Sequence, residues 1–156
     1  MLKKYAYGAL IMFFGFLSRA HGQDYHFALG VRLSNSSNKL LSNTISNSIT
    51  GKVIFGEHNA LEGFLSYGGR FGLGALYEKH RSFSTPGLTW YYGAGAFLGS
   101  EKTATYLGPM GVVGLEYTFA NAPINMSLDF KPELYIIDRI DFVPDVFGFS
   151  VRYVFK

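Results

Sequence analysis

The 156-residue chain carries 14 Lys and Arg against 11 Asp and Glu, no cysteine, and aromatic residues at 17%. Without cysteine it can build no disulfide framework and offers no acceptor for a lipoprotein anchor. The apparent basicity is confined to the first segment: once Lys3, Lys4 and Arg19 are set aside, eleven cations face eleven carboxylates, and no basic patch for nucleic acid remains.

Lys3 and Lys4 form a positive n-region, Tyr5 to Leu17 an apolar run, and Ala20-His21-Gly22 a small-x-small cleavage site before Gln23. These are the three parts of a secretory signal peptide, and the apolar run is too short for the ~20 residues of a spanning helix. The expectation is a cleaved signal over 1–22 and one domain over 23–156. No later run reaches about 18 apolar residues, so no transmembrane helix is expected.

The rest of the chain alternates. A period of two marks a β-strand with chemically opposite faces. Tyr25 to Leu33 points Phe27, Leu29, Val31 and Leu33 one way and His26, Gly30 and Arg32 the other. Ser48 to Phe55 sets Ile49, Val53 and Phe55 against Thr50 and Lys52; Ala60 to Tyr67 sets Leu61, Leu65 and Tyr67 against Glu62 and Ser66. Phe71 to Lys79 sets Phe71, Leu73 and Tyr77 against Gly72, Gly74 and Glu78. Leu88 to Gly99 sets Leu88, Trp90, Tyr92 and Leu98 against Gly93, Gly95 and Gly99, and Leu107 to Thr118 sets Leu107, Val113, Leu115 and Tyr117 against Glu116.

The clearest case is Ile124 to Tyr135. One face reads Ile, Met, Leu, Phe, Pro, Leu; the other reads Asn125, Ser127, Asp129, Lys131, Glu133, Tyr135. It is about twice a typical soluble strand and close to the ~9–11 residues with which a tilted strand crosses a bilayer. Pro132 cannot donate to a ladder, so a bulge or a strand end is expected there. Phe147 to Phe155 closes the series with Phe147, Phe149, Val151, Tyr153 and Phe155 against Gly148, Ser150, Arg152 and Val154.

Eight such strands predict an all-β, eight-stranded antiparallel up-and-down transmembrane β-barrel. Its outside would carry the apolar set, with Tyr25, Trp90, Tyr92, Tyr117 and Tyr153 in interfacial girdles. Its lumen would hold Arg32, Lys52, Lys131 and Arg152 with Glu62, Glu78, Glu116, Asp129 and Glu133, a salt-bridged plug in an interior only wide enough for side chains. Segments 34–47, 68–70, 99–106 and 136–145 would be extracellular, and 56–59, 80–87 and 119–123 periplasmic. His58 and His80 fall in these periplasmic turns.

Gly114-Leu115-Glu116-Tyr117-Thr118-Phe119, Ser127-Leu128-Asp129-Phe130-Lys131-Pro132, Tyr91-Tyr92-Gly93-Ala94-Gly95-Ala96 and the closing Val151-Arg152-Tyr153-Val154-Phe155 resemble small outer-membrane β-barrel proteins of Bacteroidota. The resemblance is specific over 88–156 and architectural before it. It implies a barrel of the OmpA-transmembrane or opacity-protein kind in the bacterial outer membrane, and assembly machinery that recognises the aromatic last strand. It supplies no catalytic residues.

No catalytic, cofactor or metal constellation is expected: the histidines are far apart, there is no cysteine for a zinc site, and Gly68-Gly69-Arg70-Phe71-Gly72 joins two strands rather than a strand and a helix. The expected role is non-enzymatic, structural or interactive, with outer-membrane lipid and lipopolysaccharide around the wall and a protein partner at loops 34–47 and 136–145. The alternatives are a narrow conduit for small hydrophobic ligands and a rim-active lipid-modifying hydrolase.

Overall fold

The structure is a computed structural model that describes residues 26–36, 44–67, 71–101, 104–137, 140–143 and 146–155; the expected signal segment 1–22 lies outside the described residues. The strands are β1 (His26–Ser36), β2 (Thr44–Phe55), β3 (Asn59–Tyr67), β4 (Phe71–Ser82), β5 (Leu88–Glu101), β6 (Ala104–Thr118), β7 (Ile124–Phe130), β8 (Glu133–Tyr135), β9 (Asp141–Val143) and β10 (Phe147–Phe155). Among the described residues there is no helix.

Each strand from β1 to β6 pairs antiparallel with the next, β7 pairs with β10, and β10 returns to β1 with Phe27 opposite Phe155 and Val31 opposite Val151. The sheet is therefore closed. β8 prolongs β7 along β6, and β9 leads into β10, so the ten strands make eight staves. Stepping from Arg32 through β2 and β3 reaches Gly72 of β4; stepping the other way, through β10, β7, β6 and β5, reaches Ser82. That offset of ten residues is the stagger of the barrel, and closing eight strands with it tilts them by roughly 40°.

Pro132 interrupts the long stave, but not as a bulge of its own strand. Three steps separate Phe130 from Glu133, and three separate Val113 from their other partner, Met110. The facing stave takes four steps from Val143 to Phe147. The extra residue is thus on that side, and it restores parity there: Val143 is buried while Phe147 is exposed. Pro132 offers only its carbonyl, to which the Gly111 N–H donates at 3.0 Å, and the Lys131 N–H donates to Val146 O at 2.8 Å.

The strands are longer than alternation alone indicates. β4 runs to Ser82, which shortens the expected 80–87 turn to 83–87 and corrects the placement of His80. β1 and β2 consume much of 34–47, β5 and β6 most of 99–106, and β9 lies inside 136–145. At the end where β1 begins and β10 finishes (the terminal end), the connections are tight. Gly56 turns at φ 61 between β2 and β3, and Gly87 at φ 82 before β5, a backbone region that suits glycine. Its carbonyl receives the Thr118 N–H at 2.9 Å.

Candidate functional site

In a barrel this narrow, one face of every stave is committed to the lumen. Arg32, Lys52, Glu62, Glu78, Glu116, Asp129, Lys131, Glu133 and Arg152 all point there and are buried. Uncompensated, charges so placed would cost several kcal/mol each. They are compensated.

Glu62 is the hub. Its Oε1 accepts from Arg152 Nη2 at 2.6 Å and from Thr50 Oγ1 at 2.6 Å, and its Oε2 from Lys131 Nζ at 2.8 Å. Arg152 also donates through Nη1 to Ser127 Oγ at 2.8 Å and to Asn125 Oδ1 at 3.3 Å. Arg32 donates to the Asp129 carboxylate through both Nε and Nη2, and the Tyr91 hydroxyl donates to Asp129 Oδ2 at 3.4 Å. A fork of this kind fixes geometry as well as charge.

Below them, Lys52 Nζ lies 2.8 Å from Glu78 Oε2 and 3.0 Å from Glu116 Oε2, and 4.2 Å over the Tyr91 ring. His80 shares both carboxylates: Nε2 is 3.0 Å from Glu78 Oε2 and Nδ1 is 3.8 Å from Glu116 Oε1. Its ring stacks on Tyr91 at 5.0 Å. His80 is therefore a buried member of the lumen network, where a periplasmic turn was expected; His58 is exposed between β2 and β3. Tyr91 links the two groups of charges, with its ring beneath Lys52 and its hydroxyl on Asp129.

Glycines make the room. A Cβ at Gly148 would overlap the Arg32 guanidinium, one at Gly114 the Tyr91 ring, and one at Gly74 the Phe64 ring. Large side chains from one stave pave small positions on another, as a filled small barrel requires.

The charges occupy only part of the lumen. Towards the far end, Leu76, Phe97, Met110, Val112, Tyr135, Val143 and Val146 form an apolar cluster against which Phe64 and Tyr106 pack. Glu133 reaches this level, where the Tyr135 hydroxyl donates to its Oε2 at 3.0 Å. The expectation of a lumen filled by charge is corrected: salt bridges close the terminal half and an aromatic and aliphatic plug closes the other. A cavity of about 230 Å³ remains at the terminal end, lined by Lys52, Glu116, Thr118 and Asn125 with Ala28, Ile54 and Val154.

The outer wall is the inverse. Leu29, Val31 and Leu33, Leu61 and Leu65, Leu73 and Tyr77, Val113 and Leu115, and Phe147 and Tyr153 are exposed on successive staves. Near the terminal end, rings pair along and between strands: Phe27 with Phe155 at 5.5 Å, Trp90 with Tyr92 at 5.4 Å, Tyr117 with Phe119 at 4.8 Å and Tyr153 with Phe155 at 4.8 Å. Tyr25 lies outside the described residues.

Sequence reasoning omitted Tyr91, His80 and the apolar plug from the lumen. Parity contained Tyr91, since it separates the outward Trp90 and Tyr92. The plug gave no contrast, because around Phe97, Met110 and Val112 both faces of β5 and β6 are uncharged. No family model and no curated protein matches the chain. The closed eight-stranded barrel thus stands on pairing and polarity alone.

Proposed function

We propose that the chain is an integral β-barrel of the bacterial outer membrane, exported on residues 1–22. Its lumen is shut, and its role is structural or one of contact through the far-end loops. The observation that carries this reading is the polarity of neighbouring residues on one stave: Leu128 is 61% exposed and Asp129 is 4% exposed. A soluble barrel would do the reverse, burying the leucine and wetting the aspartate. An apolar wall running round the whole circumference far exceeds the few hundred Å² of patch a soluble monomer shows, and hydrocarbon is the solvent that suits it. The ring pairs near the terminal end correspond to an interfacial aromatic girdle. The resemblance of 88–156 to barrels of Bacteroidota points the same way.

In this orientation the tight turns after β2, β4 and β6 face the periplasm. The far ends of β1 to β6 and the β8–β9 hairpin face outward. Outer-membrane lipid and lipopolysaccharide surround the wall. The hairpin exposes Ile136, Ile140 and Phe142 above the band, the chemistry of a contact with a protein partner. The double closure of the lumen supports a non-conducting role over a conduit. The test is electrical: purified protein in planar bilayers should give no large unitary steps, and reproducible large single-channel currents would contradict a shut lumen.

A further inference from the structure

The outward positions of the staves are uncharged with one exception. Among the described residues, their charged side chains are Lys79 and Arg81, two apart on β4 and both exposed. Register puts this pair at the terminal rim. Lys79 lies opposite Asn59, the first residue of β3, and Arg81 lies one pair further out. Across on β5, Lys79 faces Tyr92 and Arg81 faces Trp90, whose rings stack at 5.4 Å. Along the chain the exposed column reads Tyr77, Lys79, Arg81, Phe83, so the two cations stand inside a frame of four exposed rings.

A cation on a lipid-facing wall is costly at depth and tolerated only near an interface. Two on one face also repel each other. An anion shared between them offsets both effects. Glu57, the exposed carboxylate of the β2–β3 turn, is 3.8 Å from His58, and among the described residues neither Lys79 nor Arg81 is held by a carboxylate. The rings around the pair mark the headgroup level, where tryptophan and tyrosine gather. The anion native to that level is a phosphodiester. A guanidinium fork can take both of its free oxygens, and an ammonium beside it adds a compact point charge. A head of net negative charge gains from both cations, whereas a zwitterionic head brings its own ammonium against them.

We infer that Lys79 and Arg81 form a binding site for the phosphate of an anionic phospholipid in the periplasmic leaflet, with its acyl chains beside Trp90 and Tyr92. The inference rests on the membrane reading above and adds to it a lipid class, a leaflet and a place.

Trp90 is the chain's single tryptophan and lies directly opposite Arg81, so its emission reports on the site. The full barrel is reconstituted in phosphatidylcholine vesicles at low salt. Trace phosphatidylglycerol or phosphatidylcholine, brominated high on the acyl chain, is included, and tryptophan quenching is read. The initial slope with brominated phosphatidylglycerol should be steeper by roughly tenfold (about 1.4 kcal/mol). In Lys79→Gln/Arg81→Gln the two slopes should coincide. If that double variant does not fold, Arg81→Gln alone should lose most of the preference. Equal slopes in the wild type, or a preference that survives intact in a folded variant, would overturn the site while leaving the barrel in the bilayer. Loss of the preference on adding inorganic phosphate or polyglutamate, at matched ionic strength, would assign the cations to a free anion or to an acidic protein segment and overturn the lipid assignment. Quenching by neither brominated lipid would sink the membrane reading itself.

Discussion

At the scale of single residues, the lumen is a set of charges none of which can be removed alone. Glu62 holds Lys131 and Arg152 at 2.8 and 2.6 Å with all three side chains buried. Glu62→Gln keeps the shape but strands two cations, and breaking a buried pair this way costs about 3–5 kcal/mol. The contrasting site is Glu57, whose side chain is 91% exposed beside His58. Glu57→Gln should stay within about 0.5 kcal/mol of the parent. Urea titration of the protein folded in lipid vesicles measures both, and equal effects would mean that Glu62 is not buried. Gly148 gives a second prediction. Because its missing Cβ is where the Arg32 guanidinium lies, Gly148→Val must push Arg32 off Asp129. Overpacking of this kind typically costs about 1–3 kcal/mol. Pairing it with Asp129→Asn should give less than the sum, since both act on one contact; full additivity in the same titration would count against the paving.

At the scale of the strand, the outer face is apolar and the inner face carries the buried charges, and this decides what could be read in advance. Where exposed apolar residues alternate with lumen charges, as from Ile124 to Tyr135, parity placed each side chain on its proper face. It lost the strand ends. Asn35, Lys79, Arg81 and Ser100 are outward but polar, so β1, β4 and β5 continue past the point where hydrophobic contrast stops. It also lost the plug, because Phe97, Met110 and Val112 face inward between outward Leu98, Ala96 and Val113 and no polarity separates the two sets. The extra residue between Val143 and Phe147 was invisible for another reason: proline pointed to its own strand, and register is a property of the pair. The corresponding prediction concerns Leu128, at mid-stave on the wall. Leu128→Arg should destabilise the barrel by roughly 2–4 kcal/mol in vesicles, the cost of Arg near a bilayer midplane, and much less at a wall position near the rim such as Ser100. Equal tolerance at both would remove the depth dependence that a bilayer imposes.

At the scale of the molecule, closure leaves the main sheet no free edge, the stagger of ten residues sets the tilt, and the two plugs occupy the interior at different heights. The pattern is that of a soluble protein turned inside out. Core-type polar pairing is conducted at the centre, and the large apolar surface that folding would normally hide is left outside, from Phe27 to Phe155 around the ring. The claim that this surface meets lipid is tested most directly by fractionating cells that express the full chain, with the membrane pellet washed at alkaline pH. The expected result is recovery in the outer-membrane fraction, resistance to the wash, and a band whose gel migration shifts on heating as the barrel opens. Recovery of the chain as a soluble periplasmic monomer would contradict it.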